Sequence, residues 1–456
     1  MAYYICKSSK LKVSPWEIFL ACKGRQHCFF LDSSLTRRNF LGRYSFIGFD
    51  PFHIFQAEGK IPFAKLRSLL QQYKINPSGK QFPFMAGAVG YLSYDLGFLL
   101  EEKLVKHTAD DLGIPDSFFA FYNSIIAIDH LKEILHIFCV GFPEKNERLQ
   151  KALCQENLGK IRRLLGEVCR VKKLEEKKSG VTLPQPNFTK EEYFRAVNKA
   201  KDYIRKGDIY QVNLAQRFIA QAGLPAFEIY RRLRRISPSY FSAYQDCGDF
   251  QILSSSPERF LTLEGNKVIT RPMKGTRPRG KNQSEDRKLK EELLQSAKDK
   301  AELMMITDLE RNDLGRVCDY DSIKVTALRE LEVYNTVFQT TATIEGKLYK
   351  NMDRMDLLRA CFPGGSITGC PKIRAMEIIE ELEPSRRGLY TGALGYLSFC
   401  GNMDFNILIR TILKKKNQIY FGVGGGIVAD SSPAAEYRET LVKAKAMLQA
   451  LGLSYP

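Results

Sequence analysis

The order of apolar and polar positions divides the chain into two unlike halves. From about residue 4 to 142, short apolar runs such as HCFFLDSS, RYSFIGFDPFHIF, SIIAIDH and EILHIFCVGF are separated by turn residues, a pattern that predicts a sheet-rich half. A charged helical tract follows from Glu144 to Lys178, and SGVTLPQPN over 179–187 supplies Ser, Gly, Pro and Asn in the manner of an exposed connection. The pattern therefore predicts an N-terminal region over 1–178, a linker over 179–187 and a second region over 188–456.

In the second region, FTKEEYFRAVNKAKDYIRKGD predicts a helix ending at Gly207. It has a threonine at the N-cap, acidic residues in the first turn and apolar positions three to four apart. Strands are expected around IYQVNLAQRFIA, FSAYQDCG, QILSSSPERFLTLEG and KVITRP, then a long amphipathic helix from about Ser284 to Leu309. The closing third alternates helices with strands at GALGYLSFC, FNILIRTIL and QIYFGVGGGIVA, and ends in a helix from about Ser432 to Leu451. No repeat of about 20 to 50 residues is visible. The expected class is α+β, with large β-sheets flanked by helices.

Composition narrows the function more than the fold. The 456 residues are 44% hydrophobic and 26% charged, ordinary for a folded globular chain of two or three domain-sized units. There are 69 Lys and Arg against 51 Asp and Glu, a formal charge of +18. Such an excess suits nucleic acid, an anionic membrane surface or acidic metabolites. The charge is dispersed, its longest basic block being KKK at 414–416, and no zinc-finger spacing or RNP-like strand accompanies it, which disfavours nucleic acid. Eleven cysteines without a C-x-x-C suit a reducing compartment. The first residues lack a signal-peptide pattern, and the most apolar stretch, 84–100, is interrupted by glycines and Asp95. A cytoplasmic protein without membrane association is expected.

Several residues are candidates for chemistry. Asp299 with Glu302, and Glu436 with Glu439, are acidic pairs at i, i+3 on expected helices, so each pair shares a helix face. Such pairs are usually solvated, but four carboxylates converging from two helices would suit Mg²⁺. Lys274 lies between apolar Met273 and Gly275 in RPMKGTRPRG. Only a neutral amine is nucleophilic, and at a reference pKa of about 10.4 roughly one lysine in a thousand is neutral at physiological pH. Burial or neighbouring cations such as Arg271, Arg277 and Arg279 would have to lower that value. GVGGG at 422–426 lets backbone N–H groups approach an anion, although neither a dinucleotide fingerprint nor a phosphate loop is present. FPGGSITGCPK at 362–372 is a second glycine-rich turn, offering Thr368 and free N–H groups ahead of a helix.

Taken in order, GDIYQVNLAQRF, LSSSPERFL, RPMKGTRPRG, AELMMITDLERNDLGRV, FPGGSITGCPK, GLYTGALGYLSF, NILIRT and GVGGGIVADSSPAAEYRET closely resemble the chorismate-utilising enzymes, covering essentially residues 190–450. Within that family the resemblance is to the large subunits of anthranilate and aminodeoxychorismate synthases. It implies an anthranilate synthase component I-like fold with a sandwich-like sheet core. By the resemblance, Glu302 and Glu439 would hold Mg²⁺ directly, with Asp299 and Glu436 nearby or acting through water. Arg410, Tyr390 and the backbone of Gly424, Gly425 and Gly426 would hold the chorismate carboxylates, Glu258 would act as general acid/base near the C4 oxygen, and Thr368 would contact the substrate.

Two positions choose among family members. Relatives that add water place a general-base lysine where this chain has Gln211, which disfavours water chemistry. Anthranilate synthases carry alanine where this chain has Lys274, whereas aminodeoxychorismate synthases carry lysine in P-I-K-G-T; here the segment reads PMKGT, a volume-conserving change at Met273. The implied reaction is amination of chorismate to 4-amino-4-deoxychorismate through a covalent Lys274 intermediate, with ammonia from a separate glutamine amidotransferase subunit. Gln339 in VFQTT stands where many relatives have a histidine associated with pyruvate elimination, a further departure from the anthranilate reaction. The N-terminal segments LDSS and GRYSFIGFDP resemble the family's tryptophan pocket, which Ser33, Arg43, Tyr44, Ser45, Tyr240 and Phe241 would line, with tryptophan as structural ligand or effector.

Overall fold

The computed structural model describes residues 2–35, 40–76, 82–168, 180–335 and 337–454. Two large sheets dominate, and every strand pairing among the described residues is antiparallel. The larger has twelve strands. Its N-terminal part runs Tyr4–Lys10, Ile134–Val140, Ser124–Asp129, Tyr44–Gly48 and Phe29–Asp32. It continues without a break through Phe241–Asp246, Phe250–Ser256, Thr411–Lys415, Gln418–Ile427 and Gln211–Gln221 to the short Gly369–Cys370. The second, ten-stranded sheet is shared in the same way, with Ala393–Ser398 pairing Gly87–Leu92. Strands from before and after 179–187 are thus hydrogen-bonded neighbours in both sheets.

Period-two alternation explains why the sheets stack. In Phe29–Asp32 and Tyr44–Gly48, Phe29 and Phe46 enter the core between the sheets, while Phe30 and Ile47 enter a second core beneath helices. Phe29 and Phe46 meet Phe84, at ring-centroid distances of 6.3 and 5.4 Å, and Phe46 also meets Tyr396 of the opposite sheet. On the outer face, helices Pro15–Ala21, Glu147–Glu167, Ala226–Ile236 and Pro433–Ala450 supply Ile18, Phe19, Leu158, Ile229, Leu233 and Met447 to the second core. The α+β expectation, with large sheets flanked by helices, describes this architecture.

Local signals place many element ends. The helix Lys190–Arg205 begins with a capping box, Thr189 accepting from the Glu192 N–H and Glu192 returning the bond, and Gly207 follows at φ +80°, open to glycine at little cost. The helix expected from Ser284 to Leu309 is instead two, Gln283–Gln295 and Ala297–Gly315. Ser296 separates them at φ −59°, ψ 111°, and its hydroxyl accepts from the Asp299 N–H as the second helix's N-cap. The segment expected to be an exposed connection is partly tied down: Val181 bridges Ala222 and Gln185–Pro186 pairs with Gln211–Gln221. The helical tract is described as Glu147–Glu167; its expected remainder at 169–178, with residue 179, lies outside the described residues. The described cysteines are all free thiols, and no helix among the described residues is long and apolar enough to cross a membrane.

Phe29 is fully buried where the two parts of the larger sheet meet. Phe29→Ala should therefore cost about 3–5 kcal/mol in urea-unfolding free energy. Leu131→Ala, at a position 55% exposed, should stay within about 0.5 kcal/mol.

Candidate active site

Lys274 stands on the strand Met273–Pro278, which pairs with Val337–Lys347 and places it opposite Thr340. The Thr340 hydroxyl donates to the Lys274 carbonyl at 2.6 Å. The register shifts between Lys274 and Thr276, and Gly275 adopts φ +74°, where an added Cβ would be strained and would lie 2.9 Å from the Leu293 side chain and 3.1 Å from that of Asp299. The strand is thereby clamped to the helices Gln283–Gln295 and Ala297–Gly315. Lys274 is half-buried. Burial holds its amine below the ordinary lysine value and the Lys443 charge acts in the same direction, while Glu302, Glu258 and Glu439 oppose them.

Glu258, 4% exposed, precedes the strand Arg259–Glu264. Burial pushes its carboxyl up to about 7, against a Ser366 hydrogen bond, the charges of Lys274 and Lys443 and the Met273 N–H. A carboxyl titrating near neutrality can both give and take a proton. A basic group lowered and an acidic group raised are coupled electrostatically here, their values moved toward each other by burial.

The acidic pairs lie on Ala297–Gly315 and Pro433–Ala450. Burial raises Glu302, with Asp299 and Glu439 adding to the effect. Burial also raises Glu436, which accepts from the Ser431 hydroxyl at 2.7 Å and feels the charge of Glu439. Glu439 is held low by Lys443 at 2.8 Å, and Asp299 pairs with Arg277 at 2.9 Å. No group of three or more His, Cys, Asp or Glu among the described residues stands close enough to hold a metal ion together. Glu439 is coupled electrostatically to both Glu302 and Glu436, and Asp299 to Glu302, while the Asp299 carboxylate is also paired with Arg277. Glu302 and Glu436, raised chiefly by burial, and Glu439, held low by Lys443, are hard oxygen donors, the chemistry that suits Mg²⁺ held by one or two carboxylates and an anionic ligand.

The glycine strand Gln418–Ile427 runs beside these acids. A Cβ on Gly425 would lie 3.3 Å from Glu436 and 3.4 Å from Glu439, and the Gly424 carbonyl accepts from Lys443 at 2.8 Å. A Cβ on Gly426 would lie 2.0 Å from Gln211 Nε2. Gln211 is fully buried, and neither end of its amide has a hydrogen-bond partner. Leaving a buried amide unpaired costs about 1–3 kcal/mol, so this position is prepared for a polar ligand. Tyr390 packs its ring on Gly422. Arg410, at φ +50° and half-buried, donates to Gln339 Oε1 at 3.3 Å; burial lowers its guanidinium while Tyr334 and Glu258 oppose the shift.

Thr368 is placed differently from the other candidates. It is fully buried, with its hydroxyl turned back onto the Gly364 and Gly365 carbonyls, and its own carbonyl accepts from Asn213 N–H on the strand that carries Gln211. Two contributors escaped the sequence reading. Lys443 is signalled only by its i+4 spacing from Glu439, and Ser366 lies inside the glycine-rich turn without a pattern of its own.

The N-terminal candidates form a separate cavity of about 640 Å³ between the sheets. Ser33, Arg43, Tyr44, Tyr240 and Phe241 line it, together with Arg259 and Asp404. Ser45 stands behind the wall, accepting from Ser33 N–H at 3.0 Å and bonded to the His130 ring at 2.8 Å.

Gly426→Ala should displace the Gln211 amide and raise the KM for chorismate, the ligand implied by the resemblance, by about tenfold or more. Gly159→Ala makes the control, since an added Cβ there meets open space on a helix and should stabilise by about 0.5–1 kcal/mol.

Residues 26–449 match the sequence pattern of the chorismate binding enzymes. Anthranilate synthase component 1 of Thermus thermophilus is 42% identical over 374 residues, spanning 82% of this chain and 79% of that protein. Aminodeoxychorismate synthase component 1 of Bacillus subtilis is 38% identical over 448 residues, 95% of this chain and 93% of that one. The crystal structure of anthranilate synthase component I from Streptococcus pneumoniae superposes with a TM-score of 0.78 at 32% identity, covering 96% of this chain and 98% of its own. With its family pattern spanning residues 26–449, relatives 42% and 38% identical over most of its length and a shared fold, the chain belongs to the chorismate-binding enzyme family.

Proposed function

We propose that this chain aminates chorismate to 4-amino-4-deoxychorismate, as the large subunit of an aminodeoxychorismate synthase, with Lys274 as covalent nucleophile. The supporting observation is the setting of Lys274: a half-buried amine, depressed by burial, facing a Glu258 carboxyl that titrates at about 7. Splitting one displacement into two covalent steps needs a nucleophile and an acid together, and these two residues supply them.

In the first step Lys274 Nζ bonds to C2 of chorismate, the two ring double bonds shift, and the C4–O bond breaks. The hydroxyl leaves as water with the proton held on Glu258. Ammonia then attacks C4, the double bonds shift back, and Lys274 departs as the neutral amine. The new C4 ammonium returns a proton to Glu258, closing the cycle. Arg410, Tyr390 and the backbone of Gly424, Gly425 and Gly426 hold the substrate carboxylates, and Gln211 offers its free amide beside them. Glu302 and Glu439, backed by Glu436 and Asp299, would hold Mg²⁺, which when bound supplies positive charge to a substrate carboxylate. Ammonia comes from a glutamine amidotransferase subunit, tryptophan suits the inter-sheet cavity as structural ligand or effector, and the setting is the cytoplasm, with products leading to 4-aminobenzoate and folate.

Anthranilate formation is the second reading, favoured by the 42% identity to the Thermus thermophilus protein. Incubation of the chain with chorismate, Mg²⁺ and an ammonium salt should yield a product that an added aminodeoxychorismate lyase converts to 4-aminobenzoate. Fluorescent anthranilate formed without the lyase would overturn the proposal. Lys274→Ala should abolish ammonia-dependent amination, Glu258→Gln should lower kcat by about 10²–10⁴-fold, and chelation should stop turnover until Mg²⁺ is restored.

A further inference from the structure

A second buried carboxyl lies behind Glu258 and takes no part in the steps above. Glu310, on the helix Ala297–Gly315, is 7% exposed beneath the turn Gly365–Ile367. A Cβ on Gly365 would come within 3.5 Å of its Cγ, and the next residue in that turn, Ser366, bonds to Glu258. Thr270 Oγ1 stands 2.7 Å from Glu310 Oε2 and 2.6 Å from the Phe260 carbonyl oxygen. A threonine hydroxyl has one hydrogen, and a carbonyl oxygen can only accept. With that hydrogen given to Phe260, the contact with Glu310 is a hydrogen bond only if Glu310 is protonated and donates. Phe260 lies in the stretch where the Arg259–Glu264 register shifts against Lys267–Arg271, immediately after Glu258.

We propose that Glu310 is a positioning residue for Glu258: as a neutral carboxylic acid it donates to Thr270, and the Glu310–Thr270–Phe260 chain fixes the bulged start of the strand that carries Glu258. The charges around it agree. Burial pushes Glu310 up to about 8, the charges of Glu258 and Asp313 add to the rise, and the charge of Lys372 opposes it, as would Thr270 were its hydroxyl to donate to Glu310 instead. Lys372 is committed to Asp313 at 2.5 Å, and the Cys361 thiol, itself raised by burial, also faces Glu310. No cation pairs directly with Glu310 among the described residues.

The test has two arms, and only the kinetic one rests on Glu258 serving as the acid. In the first, thermal unfolding midpoints are measured from pH 5 to 9 for the unsubstituted protein and Glu310→Gln. A carboxyl raised in the folded state stabilises fully below its unfolded value of 4.5, and that contribution is lost as pH rises toward about 8. The midpoint of the unsubstituted protein should therefore fall more steeply over pH 5–8 than that of Glu310→Gln. Parallel curves would mean that Glu310 is ionised in the fold and would overturn the inference. In the second arm, chorismate consumption with ammonium is followed at pH 7.5. Glu310→Ala should lower kcat by about tenfold with KM changed less than about twofold, and Glu310→Gln, which still donates, should recover kcat to within about threefold. A glutamine variant as impaired as the alanine variant would show that the charge is needed and would overturn the inference. Because both arms are indifferent to which product forms, an anthranilate product would refute the proposed reaction while leaving this inference standing.

Discussion

An uncharged amine and a protonated carboxyl, the pair that the proposed reaction calls for, are both disfavoured in water at neutral pH, and burial shifts both groups toward those states. Removing Lys274 and Glu258 from solvent lowers the one and raises the other, while their mutual attraction acts against each shift. The balance depends on desolvation outweighing that attraction. The positive charge of Lys443 reinforces burial at Lys274 and opposes it at Glu258, where burial remains the larger effect.

The surrounding fold ties the segments of this site to their neighbours. The strand of Lys274 is clamped through Gly275 to two helices, and the turn presenting Ser366 to Glu258 is held from beneath. Arg387, fully surrounded, pairs with Glu383 at 2.6 Å and donates to the carbonyls of Ile367 and Asn213, joining that turn to the strand that carries Gln211. A buried ion pair is not by itself a strong source of stability. Here its extra hydrogen bonds tie three segments distant in sequence.

The cavity between the sheets and the Lys274 site are separate but contiguous. Met273 packs in a small cluster with Leu35, Tyr240 and Tyr334, against which Leu41 and Phe241 lie. Tyr240, Leu41 and Phe241 also face the cavity. One side of that cluster is therefore cavity wall and the other is Met273, the residue preceding Lys274. Arg43, held by Asp129 at 2.8 Å, and Arg259, held by Asp404 at 2.8 Å, place charged groups in the wall without leaving them unpaired.

The sequence by itself determined the elements and the cast of the site. Period-two runs such as FFLD and YSFIG became strands with opposite faces in opposite cores, and the Thr189–Glu192 box with Gly207 set a helix at both ends, because those signals act within a few residues. Lys274, Glu258, Glu302 and Glu439 were legible through ordered motifs, and Lys443 only as a spacing. Only the tertiary structure decided that both sheets join strands from either side of 179–187, since pairing between distant strands leaves no local pattern. It also decided that Ser296 would cap a new helix rather than continue one, and that Thr368 would turn its hydroxyl into its own loop. Above all it set the direction in which Lys274, Glu258 and Glu310 shift, because desolvation depends on what surrounds a group in space, and a sequence records only its neighbours along the chain.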